Sequence, residues 1–318
     1  MSSPQASGPL LSGIVVHWHN EEQLAELLAA WPRDPRFQLV VVDNGSALEP
    51  PSEATPVLWV RPGRNLGFAG GVNAGVSGAS APLLLLLNPD ATPEPGALDE
   101  LLHGFAALPD AAGLAPQLSG PDGTSQAAWQ LRDLPTPVTL LAQALLLPPL
   151  PGRPSEPAAG TPVEQPAAAA LALRRSALAA MGGLDERFFP AWFEDVDLAH
   201  RLRAAGLRLC YWPGARFYHG LGSTVPRLGY GPFLWIYHRN LGRYLAKHHG
   251  PVWAAAARAA LVLGALLRLV LLPLHAPRRA AGRGDAARAF LALLGGALSG
   301  WRRPRRLAGL GLPAGAPP

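Results

Sequence analysis

The chain has 318 residues, of which 15% are charged, and a formal net charge of +5. This length allows one large domain or two small ones. The single cysteine, Cys210, excludes an internal disulfide framework and any metal site built from cysteines. Residues 1–9 lack a basic segment followed by an apolar run, so we expect no secretory signal and a cytoplasmic location.

The charge is distributed unevenly along the chain. Residues 251–318 contain ten arginines and one acidic residue, Asp285, which leaves residues 1–250 with a net charge of −4. The sequence therefore describes an acidic-to-neutral body with a basic tail. Nucleic acid or an anionic membrane surface could attract such a tail.

The first 125 residues alternate short aliphatic runs with stretches of helical character. Asn20 and Gln23 have the spacing of a capping box at the start of the first helix. Strand–helix alternation of this kind predicts a mostly parallel sheet covered by helices on both sides. The strands are predicted at 13–18, 38–42, 56–60 and 82–87, and further helices at 70–79 and 95–108.

A proline-rich stretch at 148–166 interrupts this pattern. Because proline removes a backbone donor and fixes φ, we predict a mobile surface loop there. Gly206 is the predicted C-cap glycine of a later helix. Order resumes with a strand, a helix and a strand, predicted at 167–173, 194–205 and 207–212. The expected organisation is a flexible N-terminus, one domain and a tail, at 1–12, 13–245 and 246–318.

The tail contains two apolar stretches, 252–274 and 286–298. The first is long enough to span a bilayer, but Arg258 and Arg268 would each cost roughly 2.5–3.5 kcal/mol near its centre. The two arginines lie about 80° apart on a helix, so they share one side. A helix lying in the membrane interface, aided by the basic run 302–306, is the favoured interpretation. A helical hairpin packed on the protein is the alternative.

The second predicted strand ends in Asp43, which is followed by Asn-Gly-Ser. Ligands bind outside the carboxyl ends of strands in open α/β sheets, so Asp43 is placed to accept hydrogen bonds from a ligand. Asp-Asn-Gly is also a common turn, and taken alone the turn is favoured. The glycines of segment 61–75 allow a backbone to approach a phosphate, with Arg64 supplying charge. The dinucleotide-binding spacing G-x-G-x-x-G does not occur there.

The fourth predicted strand ends in Asn88-Pro89-Asp90. At such a position Asn88 can contact a ribose, and Asp90 can bind a divalent cation that bridges two phosphates. An Asn-Pro-Asp turn is the alternative. His219, after the last predicted strand, could be a metal ligand, although a lone histidine is more often structural.

Three acids, Glu194, Asp195 and Asp197, lie close together at the start of a predicted helix, directly after Trp192 and Phe193. A carboxylate flanked by aromatic side chains can have its pKa raised by desolvation, which is how a general base is made. The alternative is a helix start, where the helix dipole favours acids.

The order and spacing of these segments carry more information than any one of them. Asp43 precedes Arg-Asn-x-Gly-Phe-Ala-x-Gly-x-Asn, Asn-Pro-Asp, Gly-Gly-Leu-Asp-Glu-x-Phe-Phe, Glu-Asp-Val-Asp-Leu and a later His. Over residues 13–245 the chain resembles the family-2 inverting glycosyltransferases, and within them the rhamnosyltransferase-like bacterial enzymes of cell-surface polysaccharide synthesis.

The resemblance implies a GT-A fold, a single nucleotide-binding α/β/α sandwich, here followed by C-terminal amphipathic helices. It implies transfer of a sugar, with rhamnose the first candidate, from a dTDP- or UDP-sugar to a hydroxyl of a glycan or polyprenyl-linked acceptor. Together with the basic tail, it predicts an enzyme that is peripheral on the inner face of the cell membrane. We expect no nucleic-acid partner.

The resemblance also assigns roles to residues. Asp90 would hold Mg²⁺ or Mn²⁺ on the diphosphate, and His219 would complete the metal shell or contact the phosphates. Asp195 would be the base that deprotonates the acceptor hydroxyl opposite the leaving diphosphate. Glu194 would orient the acceptor, and Asp197 would anchor the helix start. The implied nucleotide-sugar site comprises Trp18, Asp43, Arg64, Asn65, Asn73, Asn88 and Arg239.

The chain departs from the family pattern in three places. Trp18-His19-Asn20 ends the first strand where the family usually has Tyr before Asn. Asn88 replaces the first Asp of the DxD motif, as is usual in this subgroup. Gln165-Pro166 stands near a position where Trp and Ser-Gly-Ala are common.

Two other classes of protein are weighed against a transferase. A sugar-nucleotide-forming nucleotidyltransferase would have a Gly-rich, Arg-containing loop directly after the first strand, and residues 17–21 lack it. A non-catalytic nucleotide- or lipid-binding module would leave Asp90, Glu194 and Asp195 without a task.

Overall fold

The computed structural model describes residues 8–46, 57–145, 147, 156–220, 228–274, 277 and 280–301. The chain divides into two compact units. The first unit comprises Met1–Leu134, Gly152–Phe189 and Glu194–Leu221. The second unit comprises Pro135–Pro151, Pro190–Phe193 and Gly222–Pro318. The predicted flexible N-terminus lies outside the described residues up to residue 7.

The first unit is built on a nine-stranded sheet with the order β3-β2-β1-β4-β10-β6-β11-β5, and β8 pairs with β11. Its strands are β1 (Leu11–His17), β2 (Phe37–Asp43), β3 (Val57–Val60), β4 (Leu83–Leu87), β5 (Ala91–Pro93), β6 (Ala111–Ser119), β8 (Pro162–Val163), β10 (Ala170–Arg174) and β11 (Arg208–His219). A separate two-stranded ribbon pairs β7 (Leu131–Arg132) with β9 (Gln165–Pro166).

Six of the nine strands point in one direction. The strands β3, β2, β1 and β4 are mutually parallel. The strand β10 is antiparallel to both β4 and β6, so β6 and its parallel partner β11 share the direction of β4. The predicted mostly parallel sheet is confirmed.

Helices cover both faces of this sheet. The leucines of β4 alternate between two hydrophobic cores: Leu85 and Leu87 face one, and Leu84 and Leu86 face the other. Such a strand needs burial on both sides, as the run of five leucines predicts. The helices of the first unit are α1 (Glu21–Ala30), α2 (Gly67–Gly78), α3 (Ala97–Ala107), α4 (Ala127–Gln130), α6 (Arg175–Ala180) and α7 (Glu194–Ala204).

Two local predictions need correction. The predicted capping box does not form, because Asn20 Oδ1 accepts from the backbone N–H of Trp18 and makes no cap hydrogen bond. Part of the proline-rich loop is regular, since its described part contains β8 and β9. The ends of short strands tolerate proline. The part of this loop from 148 to 155 lies outside the described residues.

The second unit is helical. Thr136 caps its first helix by accepting from the N–H of Thr139. Leu234, Leu272 and Phe290 lie in its core. Its helices are α5 (Pro137–Ala144), α8 (Tyr230–His248), α9 (Pro251–Leu271) and α10 (Arg283–Ser299). The predicted domain boundary at residue 245 falls within α8.

The helix α9 has an apolar outer face. Among the described helices, it alone is long and apolar enough to cross a membrane, by length and composition. Taking 100° per residue, its exposed large apolar residues fall within an arc of about 140°. Arg268 lies outside this arc and donates to the carbonyl of Leu145 at 3.0 Å. The exposed residues are Val252, Leu263, Leu266, Leu267, Val270 and Leu271.

Candidate active site

The candidate site lies at the carboxyl edge of the large sheet. Asp43 ends β2 and pairs in register with His17, the last residue of β1. Asn88 follows β4, and His219 ends β11. Since these four strands point the same way, the sheet brings their carboxyl ends to one edge, as the sequence predicts.

The turn after β2 is held by two side chains. Asp43 is buried, and its Oδ1 accepts from both the N–H and the hydroxyl of Ser46. Asn44 Oδ1 accepts from the N–H of Leu66 at 2.7 Å, and its Nδ2 donates to Asn65 Oδ1 at 3.0 Å. Asn44 therefore fastens the loop before α2 to the end of β2. Asn44 is not among the site residues predicted from the sequence.

The loop before α2 contains two predicted nucleotide-sugar ligands in different environments. Asn65 is buried, and its Oδ1 accepts from the N–H of Gly67 at the start of α2. Arg64 is exposed, and Trp18, at the end of β1, is partly exposed. Asn65 thus holds the loop itself, whereas Arg64 is accessible to an anion.

The glycines of α2 explain how it packs. A Cβ at Gly71 would lie 2.7 Å from Val16 Cγ1, and one at Gly75 would lie 2.5 Å from Ile14 Cγ2. These two glycines let the helix approach β1 closely. The prediction that the glycines serve a phosphate therefore misses a packing requirement at these two positions.

Asn73, on α2, links this helix to a distant segment. Its Oδ1 accepts from the N–H of Leu184 at 2.9 Å. Its Nδ2 donates to the carbonyl of Leu184 at 2.9 Å and to Glu186 Oε1 at 3.0 Å. Gly183 must be glycine here, because its φ is +81° and a Cβ would lie 2.6 Å from Asn73 Oδ1. The amide of Asn73 is thus engaged within the protein.

Asp90 and His219 form the candidate metal pair. The two side chains are 9% and 4% exposed, and Nε2 of His219 lies 3.6 Å from Oδ1 of Asp90. Burial lowers the pKa of His219, while the charge of Asp90 opposes this shift. A neutral imidazole is the form that binds metal ions. Asn88, two residues before Asp90 in the sequence, is partly exposed.

The pair suits a cation that also binds a substrate. Mg²⁺ is commonly held by one or two protein groups together with substrate phosphates and water. Within the described ranges, no cluster of three or more His, Cys, Asp or Glu residues could hold a metal ion. The donor set of Asp90 and His219 therefore fits a divalent cation whose shell is completed by a diphosphate.

Two residues that the sequence analysis missed surround His219. Gln126 Oε1 lies 2.8 Å from His219 Nδ1, and Gln126 Nε2 donates to the carbonyl of His219 at 2.9 Å. Trp129 stacks on the imidazole with the ring centroids 5.2 Å apart. These contacts join positions 90 or more residues apart, so no local pattern could have revealed them.

Asp195 lies at the start of α7, beside the two-stranded ribbon. Its Oδ1 accepts from the N–H of Val196 at 2.8 Å. Its Oδ2 lies 3.5 Å from Gln165 Nε2 and 3.9 Å from a guanidinium nitrogen of Arg132. The side chain keeps 17% of its surface exposed. The ribbon thus places a cation and an amide donor near the candidate base, and the sequence analysis assigned no role to either residue.

The desolvated carboxyl of the acid cluster belongs to Glu194. Burial raises its pKa well above the usual value, and the neighbouring Asp195 and Asp197 add to the shift. Its Oε2 is buried without a hydrogen-bond partner among the described residues. The expectation of a desolvated carboxyl next to the aromatic pair therefore applies to Glu194.

We expect the Glu194→Gln substitution to stabilise the protein increasingly as the pH rises. Above the unfolded-state pKa of about 4.3, the unfolded chain releases a proton that folded Glu194 retains. The folding free energy contributed by this group is therefore lost as the pH rises toward the folded-state pKa, by up to about 1.4 kcal/mol per pH unit. Urea unfolding of both proteins between pH 4 and 8 measures the difference.

The control for this measurement is Glu26→Gln, at an exposed position of α1. Its stability difference from the parent should be nearly independent of pH. If the difference in unfolding free energy between Glu194→Gln and the parent stayed constant from pH 4 to 8, Glu194 would not be protonated in the folded protein.

Asp197 is engaged in an ion pair within α7. Its side chain is fully buried, and its Oδ2 accepts from Arg201 Nε at 2.8 Å. The same guanidinium donates to the carbonyls of Met181 and Gly183. The pair therefore fastens the segment before the acid cluster to α7.

The second unit contains the residues that directly precede Glu194. Trp192 and Phe193 have φ values of +72° and +75°, which cost roughly 1–3 kcal/mol each for residues other than glycine. Asn240, fully buried in α8, donates to the carbonyls of Ala191 and Trp192 at 2.8 and 3.1 Å. Phe233 packs edge-on against Trp192. These contacts offset the strain of the turn.

Arg239 also belongs to the second unit. Its guanidinium lies 5.0 Å from the ring centroid of Trp235 and donates to Asn240 Oδ1. Burial lowers its pKa to about 9, with a smaller contribution from Arg243. Its predicted contact with the leaving diphosphate stays a prediction.

Comparison with known sequences identifies similar proteins. Residues 13–160 match the family described as Glycosyl transferase family 2. An N-acetylglucosaminyl-diphospho-decaprenol L-rhamnosyltransferase of Mycobacterium tuberculosis is 31% identical over 288 residues, which cover 83% of this chain and 92% of that protein. The low-salt glycan biosynthesis hexosyltransferase Agl10 of Haloferax volcanii is 26% identical over 206 residues, or 63% of each chain.

Comparison with solved structures agrees on the fold. A mannosyltransferase of Pyrobaculum calidifontis, in complex with GDP-Man and Mn²⁺, has a TM-score of 0.51 at 16% identity, covering 92% of this chain and 88% of its own. Residues 1–349 of TarS of S. aureus, in complex with UDP-GlcNAc, have a TM-score of 0.51 at 13% identity, covering 95% of this chain and 83% of that fragment. The predicted GT-A fold is confirmed.

Proposed function

Because this chain belongs to glycosyl transferase family 2, and is therefore a glycosyltransferase, we propose that it transfers rhamnose from dTDP-rhamnose to a polyprenyl-linked glycan acceptor, with inversion. The observation that carries the proposal is that three predicted site residues lie at the carboxyl edge of one sheet. Asp43 and His219 end their strands, and Asp90 follows β4. The 31% identical relative is an N-acetylglucosaminyl-diphospho-decaprenol L-rhamnosyltransferase, which supports both the sugar and the lipid-linked acceptor. UDP-sugars are the alternative donors.

The donor nucleotide is proposed to bind at the ends of β1, β2 and β4. Asp43 reads the pyrimidine base, and Arg64, which is exposed, neutralises phosphate charge. Trp18 and Asn88 complete the contacts to the nucleoside. Asn65 and Asn73 act by shaping this surface, because their side chains are engaged in hydrogen bonds within the protein.

Asp90 and His219 are proposed to hold Mg²⁺ or Mn²⁺. When bound, the cation neutralises charge that develops on the leaving diphosphate. Arg239 is proposed to assist through its positive charge. The mannosyltransferase of Pyrobaculum calidifontis, which shares the fold, contains Mn²⁺, and this supports a divalent cation here.

Asp195 is proposed to take the proton of the acceptor hydroxyl. Inversion requires a single displacement, so the base must act on the face of the sugar opposite the diphosphate. The backbone N–H of Val196 and the side chain of Gln165 orient the carboxylate of Asp195. Part of its surface stays exposed, so an acceptor can reach it. Glu194, the preceding residue, is buried and is proposed to orient the acceptor.

Donor screening tests the proposal. Thermal shift with dTDP-, UDP- and GDP-sugars, with and without Mn²⁺, should give a metal-dependent response to one nucleotide. Mass spectrometry should then detect release of that nucleoside diphosphate only with a polyprenyl-linked acceptor. A nucleotidyltransferase would instead make a nucleotide sugar from a triphosphate, and a binding module would show no turnover. Either result, or no metal-dependent response, would contradict the proposal.

The second unit is proposed to attach the enzyme to the inner face of the cell membrane. The exposed arc of α9 carries six large apolar residues and no charged one. An amphipathic helix can lie in the interface with such a face buried. The basic run 302–306, which lies outside the described residues, adds attraction to anionic lipid. A lipid-linked acceptor would be presented at the same surface.

We expect Leu267→Glu to weaken binding to vesicles of mixed anionic and zwitterionic lipid by at least about tenfold. The side chain is 51% exposed and lies within the apolar arc. Burying a leucine contributes roughly 1.5–3 kcal/mol, which a charge at the same position would forfeit. Co-sedimentation with vesicles measures the change.

The matched control is Leu58→Glu, which places the same charge on a leucine of the first unit that is 41% exposed. Its vesicle binding should be nearly that of the parent protein. Equal binding by both variants would overturn the assignment of α9 as the lipid-facing element.

A further inference from the structure

The side chain of Gln126 makes two hydrogen bonds to His219. Gln126 Nε2 lies 2.9 Å from the backbone carbonyl oxygen of His219, and Gln126 Oε1 lies 2.8 Å from Nδ1 of its imidazole. Gln126 is 6% exposed, and its own backbone N–H donates to the carbonyl of Leu118. The glutamine is therefore fixed at both its backbone and its side chain.

The direction of these hydrogen bonds follows from chemistry. A backbone carbonyl can only accept, so the group facing it must be the NH₂ of Gln126. The other amide atom is then the oxygen, which can also only accept. Nδ1 of His219 must therefore carry a hydrogen. In a neutral imidazole the remaining nitrogen, Nε2, then presents a lone pair.

That lone pair faces Asp90. Nε2 lies 3.6 Å from Asp90 Oδ1, so two acceptors point toward one region of space. A cation satisfies such a pair, whereas a proton on Nε2 would block it. Histidines that bind metal ions usually donate their other ring N–H to a fixed acceptor, which sets the tautomer.

We propose that Gln126 is a positioning residue that fixes His219 in the Nδ1–H tautomer and so directs Nε2 toward the metal ion. This inference rests on the proposed metal role of His219. Trp129 supports it by stacking on the imidazole at an interplanar angle of 30°, which restrains rotation of the ring.

The tautomer can be observed without metal or substrate. Nitrogen NMR of the ¹⁵N-histidine-labelled full-length protein, at a pH where the imidazole is neutral, distinguishes a protonated Nδ1 from a protonated Nε2. The signals of His219 are assigned by their loss in His219→Gln. We expect the Nδ1–H form in the parent protein and a mixture of tautomers in Gln126→Met. The Nε2–H form in the parent would overturn the proposal.

Metal affinity provides the second measurement. Free Mn²⁺, measured by electron paramagnetic resonance in the presence of dTDP or UDP, should report about 10–100-fold weaker binding in Gln126→Met. The matched control is Gln130→Met. Gln130 is also a buried glutamine of the same segment, but its Nε2 donates to the carbonyl of Pro116. Its Mn²⁺ affinity should be that of the parent.

The two measurements separate the inference from the function on which it rests. If the parent protein binds no Mn²⁺ in the presence of nucleotide, the proposed metal role fails while the tautomer is still decided by NMR. If the parent binds Mn²⁺ and both glutamine variants bind it equally well, Gln126 has no positioning role. Should Gln126→Met fail to fold, the tautomer of the parent alone decides.

Discussion

Replacing Asp195 with asparagine should lower the kcat of sugar transfer by about 10²–10⁴-fold, the range that general bases contribute. The amide has the volume of the carboxylate, and its oxygen can still accept from Val196 N–H, as Oδ1 of Asp195 does at 2.8 Å. It cannot take a proton from the acceptor hydroxyl. Steady-state kinetics and calorimetric titration with the nucleotide should therefore separate a large loss in kcat from a nearly unchanged affinity.

The control for this substitution is Asp185→Asn, which removes the same charge ten residues upstream. The carboxylate of Asp185 is paired with the exposed guanidinium of Arg187, 2.6 Å away, and its own side chain is 12% exposed. The substitution keeps the volume of the side chain, and an ion pair with a solvated arginine contributes little to stability, so turnover should stay close to that of the parent. Substantial turnover by Asp195→Asn would exclude Asp195 as the base, and equal losses in both variants would indicate a general charge effect.

The edge of the sheet could be predicted from the sequence because it depends on local signals. Aliphatic runs mark the strands, and the polar residue that ends each run is readily identified. Asp43 and Asn88 are identified in this way from the sequence alone. Burial of the leucine run in β4 follows equally directly, because five consecutive leucines require cover on both faces.

Other parts of the site depend on contacts between distant segments. Gln126 lies 93 residues from His219, and Arg132 lies 63 residues from Asp195. Glutamine and arginine at these positions resemble many surface residues in a sequence. Only the pairing of β7 with β9, and of β11 with its neighbours, brings them to the site.

Predictions from local sequence patterns were incomplete where a residue could make a competing contact. Asn20 has the spacing of a capping residue, yet its side chain accepts from Trp18 N–H. The glycines at 71 and 75 fit a phosphate-binding pattern, yet they are required for contact between α2 and β1. In both cases tertiary geometry determined which of two plausible local roles the residue takes.

Replacing Asp90 with alanine should raise the donor KM at least about tenfold and remove most of its dependence on Mn²⁺. The buried Asp90 carboxylate and His219 supply the only paired acceptors assigned to the cation in the described part of the site. A single histidine leaves the cation held mainly by the diphosphate, whose charge is then poorly neutralised as it leaves. Titration of activity with Mn²⁺ at several donor concentrations measures both effects.

Binding of the nucleoside alone should distinguish a lost metal site from a damaged fold. Thymidine or uridine carries no phosphate and needs only the base contacts proposed for Asp43, so its affinity should be unchanged in Asp90→Ala. Asp99→Ala, which removes a surface carboxylate paired with Arg36, should leave the Mn²⁺ dependence intact. An unchanged Mn²⁺ dependence in Asp90→Ala would show that the cation is held elsewhere. The Asp90–His219 pair would then be a structural contact at the end of β11.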